Sequence, residues 1–156
     1  MSIDLSDLIA PELVLTGVVA ANTRALLTQV AATAGAALSL EPAALADALI
    51  AREKLGSTGF GGGAAIPHAR VAGLARIACV VVRTAKPVDY GAIDGAPVDI
   101  VFALFSPPEA GAAHLKALAR VSRLLRDRAL VDKLRGAGSR DAIWALLTAD
   151  EARDAA

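Results

Sequence analysis

Two apolar runs constrain this chain more than any other feature. Ile77-Ala78-Cys79-Val80-Val81-Val82 contains no polar residue, and Pro97-Val98-Asp99-Ile100-Val101-Phe102-Ala103-Leu104-Phe105 contains only Asp99. A strand with one wet face alternates apolar and polar residues, whereas a strand covered on both faces reads as a continuous run. The first run therefore predicts a central strand buried on both sides, and the second a neighbouring core strand that Ser106-Pro107-Pro108 ends. A third, shorter strand is expected at Leu13–Gly17, and Lys86–Tyr90 reads as a separate, broken edge segment. Asp94-Gly95 marks a turn between them.

The rest is helical in pattern. Leu26, Leu27, Val30, Ala34 and Leu38 recur at helical spacing after Asn22, a good N-cap, and predict a helix over about 23–38 that Gly35 weakens. Pro42 suits the first turn of a second helix, and Gly56 its C-terminal end. Residues 3–11 form a short amphipathic turn that Pro11 stops. A helix is expected from Glu109 to about Arg126 and another over about 128–135, ending at Gly136. A last helix starts at Ser139, with Asp141 in its first turn and Ile143, Trp144, Leu146 and Leu147 as anchors; the tail after Asp150 is expected to fray. Strands mixed with helices in this way predict an α/β sandwich around a mostly buried sheet. With 156 residues, no internal repeat and no linker, the chain is expected to be a single domain.

Composition excludes several functions. Lys+Arg and Asp+Glu are equal at 16 each, which removes the electrostatic case for nucleic-acid binding, and 3% aromatic residues leave no base-stacking surface. The single cysteine, Cys79, cannot form an internal disulfide and reads as a small core residue. No apolar run approaches the roughly 20 residues of a spanning helix, and no secretory signal is evident, so a soluble cytoplasmic protein is expected, not one embedded in a membrane. Two histidines far apart give no metal-ligand cluster. Asp89, Asp94 and Asp99 read as solvated turn residues. Arg120, Arg123, Arg126, Arg128, Lys133 and Arg135 read as a solvated face of the late helices.

The chemistry concentrates between Arg52 and Arg70. Five of the thirteen glycines lie from Gly56 to Gly63, and His68 follows Pro67. Glycine backbone can approach a ligand without a Cβ, and successive exposed N–H groups make an anion-binding concavity. Pro67 restricts Ile66 to extended geometry and so holds the direction of the histidine. A neutral imidazole can attack phosphorus, and guanidinium groups suit phosphate oxygens. The stretch predicts a histidine that meets a phosphoryl group, with Gly61 and Gly63 supplying approach and donors, Ser57 and Thr58 as further hydroxyl donors, and Arg70 as a charge or partner contact. Phe60 and Ile66 are expected to form an exposed apolar rim for a docking partner. Gly59-Phe60-Gly61-Gly62-Gly63-Ala64 also matches the dinucleotide fingerprint, but it follows a predicted helix and runs into Ala-Ile-Pro, not from a strand into a helix.

The run R-E-x-x-G-S-T-G-x-G-x-G-x-A-I-P-H resembles the active-site signature of the fructose/mannitol and nitrogen-type enzyme IIA domains of the bacterial phosphoenolpyruvate-dependent phosphotransferase system. The resemblance extends over about residues 3–148. It includes Tyr90–Asp99, similar to the family's segment ending D-G-x-P-V-D, and His114-Leu115-Lys116-Ala117-Leu118-Ala119, similar to its H-L-x-x-L-A helix; Pro107-Pro108 departs from it by one extra proline. It implies a small mixed β-sheet flanked by helices on both faces, and a phosphocarrier without metal or organic cofactor. It further implies that His68 is the phosphoryl acceptor with His114 and Arg52 assisting, and that a histidine phosphocarrier protein is the donor. In form the chain is most like the nitrogen type, in which the phosphorylation state regulates targets such as potassium-transport and sensor-kinase proteins. The alternatives are a fructose- or mannitol-type enzyme IIA feeding a sugar-specific IIB domain, and a regulatory binding module without catalysis.

Overall fold

A computed structural model describes residues 4–148; the tail after Asp150 lies outside them. In chain order the elements are a 3-10 turn at Pro11–Leu13, β1 Val14–Val18, α1 Thr23–Leu38, α2 Pro42–Lys54, β2 Gly59–Gly61, β3 Ala64–Ala65, β4 His68–Arg70, β5 Ala78–Val88, β6 Val98–Ser106, α3 Ala112–Leu125, α4 Arg128–Gly136 and α5 Arg140–Leu147. The sheet is mixed, as the resemblance implied. Strand order is β1-β5-β6-β3-β2, with β4 also on β6; β1 runs parallel to β5, β5 antiparallel to β6, and β3 and β4 both parallel to β6.

The two apolar runs form the central pair, and their alternate residues face opposite ways. Cys79, Val81, Ile100, Phe102 and Leu104 join one core cluster with α3, α4, α5 and the buried Leu5, Leu8 and Ile9. Val80, Val82, Val101, Ala103 and Phe105 join the other, with Leu26, Leu27, Val30, Leu45 and Leu49 of α1 and α2. Phe102 and Phe105 are fully buried, one on each face, and burial of each stabilises by roughly 1.5–3 kcal/mol. The sandwich thus has helices on both faces.

The expected caps form. Asn22 accepts from the Ala25 N–H at 2.8 Å, Pro42 opens α2, and Ser139 accepts from the Ala142 N–H at 3.1 Å. Gly35 permits a close approach: a Cβ there would sit 2.7 Å from Pro42 Cγ and 2.8 Å from the Leu40 carbonyl oxygen, so the α1–α2 turn could not close as tightly around it.

Three expectations are corrected. Lys86–Val88 is not a separate segment but the end of β5, which continues past a register shift between Arg83 and Val88. The irregularity tolerates Pro87, which lacks a ladder donor. Helix α3 starts at Ala112, not Glu109, because Gly111 turns the backbone at φ 57°. The aspartates and arginines are partly paired: Arg120 holds Asp7 at 2.8 Å, Arg135 holds Asp99 at 2.8 Å, and Asp94 accepts from the Gly62 and Ala96 N–H groups.

Candidate active site

His68 begins β4, and β4 continues β3 in register. Ala64 pairs with Ile100, Ala65 with Val101 and His68 with Leu104, a constant offset broken only by Ile66 and Pro67. Even within the break, the Pro67 carbonyl accepts from the Leu104 N–H at 2.9 Å. β2 covers β3 but, among the described residues, no strand covers β4, so His68 sits where the sheet edge opens. Ala69 faces the α1–α2 core, so the alternation of a strand turns His68 and Arg70 to the other face, toward α3.

The His68 ring is held at both nitrogens. Nδ1 lies 2.8 Å from the Ile66 carbonyl oxygen, which only accepts, so Nδ1 carries the proton and donates it. Nε2 is then the unprotonated nitrogen, and it accepts from Arg52 Nε–H at 3.2 Å. Burial pushes the imidazole below its ordinary value; the Ile66 carbonyl opposes this, the Arg52 charge adds to it, and Glu53 opposes it. The ring is neutral at pH 7 with one lone pair directed at a guanidinium.

Arg52 lies in the last turn of α2, and its Nη1 donates to the Gly56 carbonyl at 2.9 Å. The turn that presents this carbonyl is closed by Glu53, which accepts from the Thr58 N–H at 2.9 Å and from the Thr58 hydroxyl at 2.5 Å. Tyr90 OH lies 2.9 Å from the Thr58 hydroxyl and 3.2 Å from Glu53 Oε1. Burial pushes the Tyr90 phenol up, so it remains a donor. Sequence reasoning assigned no role to Glu53 or Tyr90. Glu53 stands within the signature itself, but Tyr90 lies outside it, 37 residues from Glu53, and only the fold shows the contact.

His114 arrives from the opposite side, near the start of α3. Its ring centre is 5.7 Å from that of His68, with the planes 56° apart. It is buried, and its Nδ1 lies 2.6 Å from Ser106 Oγ. Burial lowers its affinity for a proton, as does the charge of Arg70, and protonation of His68 would lower it further. Ser106, the last residue of β6, is a further site-side residue that sequence reasoning missed, having been read only as a strand terminator. Arg70 is exposed, donates to the Pro108 carbonyl at 3.2 Å and adds positive charge to this side of the site.

Several expected participants stand elsewhere. Thr58 is buried and its hydroxyl proton goes to Glu53, so it is not a free phosphate donor. Ser57 Oγ accepts from the Gly59 N–H at 3.1 Å. Gly61 and Gly63 are corrected outright. They shape the tip of the β2–β3 hairpin, where the Gly63 carbonyl accepts from Asp99 and Ile100 N–H, while His68 pairs with Leu104. Four residues of strand separate the two places, about 13 Å at roughly 3.3 Å per residue. The apolar rim is corrected too. Ile66 is 6% exposed and belongs to the core, and Phe60 is half-buried, lining a cleft of about 470 Å³ with Gly61, Leu125, Val131 and Arg135. Among the described residues the exposed large apolar ones are Val19, Leu55, Ile93 and Leu115; Leu55 follows Arg52 by three residues, and Leu115 is next to His114.

Comparison with known proteins places this geometry. Residues 7–150 match the family described as the phosphoenolpyruvate-dependent sugar phosphotransferase system, EIIA 2. The chain is 41% identical over 143 residues to a nitrogen regulatory protein of Bradyrhizobium diazoefficiens, covering 92% of this chain and 94% of that one. It is 38% identical over 115 residues to the nitrogen regulatory protein of Escherichia coli, covering 73% and 71%. The crystal structure of the nitrogen regulatory protein IIA-Ntr from Neisseria meningitidis superposes with a TM-score of 0.87 at 30% identity, over 92% of this chain and 99% of that one. The mannitol IIA of Escherichia coli, at 20% identity and a TM-score of 0.75, shares the fold over 88% and 97%. A half-buried neutral histidine at an open sheet edge, between an arginine and a second histidine, therefore stands in a chain that belongs to the type 2 enzyme IIA family of the phosphoenolpyruvate-dependent phosphotransferase system.

Proposed function

We propose that this protein is a phosphocarrier of the nitrogen-regulatory kind, and that it accepts a phosphoryl group on His68 Nε2 from a phosphohistidine carrier protein in the cytoplasm. One observation carries the reading: Nδ1–H is committed to the Ile66 carbonyl at 2.8 Å, which leaves the Nε2 lone pair as the nucleophile, facing Arg52. In the transfer, that lone pair forms the new N–P bond while the bond from phosphorus to the donor's ring nitrogen breaks, its electron pair returning to the donor ring. Positive charge grows on the His68 ring and strengthens the Nδ1–H bond to Ile66. The phosphoryl oxygens need neutralisation as they move, and Arg52, with Arg70 nearby, supplies it. Arg52 gives up Nε2 as the phosphoryl group arrives and turns to its oxygens. His114 stands against the same ring and assists.

The regulatory reading, over delivery to a sugar-specific IIB domain, is supported by relatives named nitrogen regulatory protein that match most of both chains. The fructose-specific EIIABC component of Bacillus subtilis is 40% identical, but only over 97 residues and 15% of its length. Regulated targets would be proteins such as potassium-transport components or sensor kinases, bound according to the state of His68.

The test is phosphoryl transfer from phosphoenolpyruvate through enzyme I and a histidine phosphocarrier, read as intact mass. One acid-labile phosphoryl increment is expected on the wild type and none on His68→Ala. Labelling that persists in that variant, or a wild type that stays unlabelled while folded, would refute the reading.

A further inference from the structure

We propose that Ser106 is a positioning residue that fixes the tautomer of His114, making its Nε2–H a neutral donor to the phosphoryl group. The proposal rests on the reading of His68 as phosphoryl acceptor.

Ser106 is 0% exposed, and its Oγ lies 2.6 Å from His114 Nδ1. Two arrangements fit that distance. If Nδ1–H donated to the serine, the serine's own proton would need another acceptor, and among the described residues Oγ has no other partner. A buried hydroxyl proton without an acceptor is costly. If the serine donates, every group is satisfied: Oγ–H gives its proton to the Nδ1 lone pair, and the ring proton sits on Nε2. The second arrangement is the favoured one. It leaves the ring's remaining donor on Nε2, which has no partner among the described residues, on a ring centred 5.7 Å from that of His68.

The two histidines then have opposite tautomers, each set by one oxygen. The Ile66 carbonyl can only accept, so His68 keeps its proton on Nδ1 and offers a lone pair at Nε2. The Ser106 hydroxyl can donate, so His114 keeps a lone pair on Nδ1 and offers a proton at Nε2. One ring is a nucleophile and the other a hydrogen-bond donor, without either being charged. The backbone holds Ser106 in place for this: it pairs with Arg70 across β4, and its carbonyl accepts from the Val71 N–H at 2.8 Å. Phe102, Leu104 and Ser106 alternate onto the face of the sheet that α3 covers, so the serine meets α3 near its first turn.

The experiment uses the full chain labelled with nitrogen-15 at histidine. Long-range proton–nitrogen spectra at neutral pH distinguish the tautomers of both rings before any phosphoryl group is added. The expected pattern is Nδ1–H for His68 and Nε2–H for His114. Ser106→Ala should leave His68 unchanged, give His114 a mixture of tautomers, and slow phosphoryl transfer about tenfold, the loss expected of one hydrogen bond. Ser106→Thr, which keeps the hydroxyl, should restore the Nε2–H form. An Nδ1–H tautomer of His114 in the wild type overturns the proposal, as does wild-type transfer by folded Ser106→Ala. Failure of the wild type to be labelled at all would instead refute the phosphocarrier reading, and the spectra would still decide the tautomer.

Discussion

The glycine tip and the histidine end of one short run of sequence, Gly59 to Arg70, do different work. At one end, His68 lies on an uncovered sheet edge, half-buried, between Arg52 and His114. At the other, Gly61, Gly62 and Gly63 all have positive φ and fold the hairpin tip over the start of β6. The Gly62 N–H is taken by Asp94, its carbonyl accepts from Arg135, and Arg135 is paired with Asp99. A Cβ on Gly63 would run into the Arg135 guanidinium. The glycines at the tip are therefore there for close packing of backbone on an ion pair, and one donor that an anion cradle would need, the Gly62 N–H, is already taken. A glycine run beside a histidine does not make a phosphate loop; where its N–H groups are spent decides that.

If the division is right, damage at each end should have a different signature. The largest effect is expected from Arg52→Ala. Removing a preorganised donor at the reacting atom should slow transfer by about a hundredfold or more, with little change in the urea midpoint. Rapid-quench phosphorylation of the folded variant measures it. A change of less than about threefold would place the charge neutralisation elsewhere, with Arg70 as the next residue to remove. Gly63→Ala should do the converse. It combines a left-handed backbone with an overpacked contact, and should cost about 1–3 kcal/mol in urea unfolding while the folded fraction transfers at the normal rate. A slow but fully stable Gly63→Ala would show the hairpin tip coupled to the chemistry.

How far the sequence could be read follows from how local each signal is. The core strands were legible because a continuous apolar run needs cover on both faces wherever the chain places it, and Asn22, Pro42 and Ser139 were legible because a cap depends on residues three or four away. β2, β3 and β4 were not, since two or three residues carry no periodicity. At the site, Arg52 and His68 are separated by one turn and a hairpin, and the family signature joins them. Tyr90 and Ser106 reach the site only through the register of β5 with β6 and of β6 with β4. The glycines misled for a related reason: their backbone freedom is visible in sequence, but the Asp94 and Arg135 that use it are 32 and 73 residues from Gly62.

The finest test of the division is acid titration, because the two ends contain different kinds of titrating group. Burial lowers the proton affinity of His68 and His114 below the ordinary 6.5. The folded state then binds fewer protons than the unfolded one as pH falls, so the stability attached to the neutral rings is complete above about 6.5 and is lost as pH drops through their folded values. Transfer should follow the same course, holding at pH 6.5, where an ordinary histidine would already be half protonated, and falling below it. At the tip, hydrogen bonds from Gly62 and Ala96 N–H lower the Asp94 carboxyl beneath its ordinary 3.8. Its contribution is present above that value and lost only as pH falls through the lowered one. Between pH 7 and 5 the amide resonance of Gly62 should therefore stay fixed while the imidazole resonances of His68 and His114 begin to move. A Gly62 amide that shifts in step with the histidines would mean that protonation at the site is felt along the length of β3 and β4. The hairpin would then have to be counted as part of the machinery.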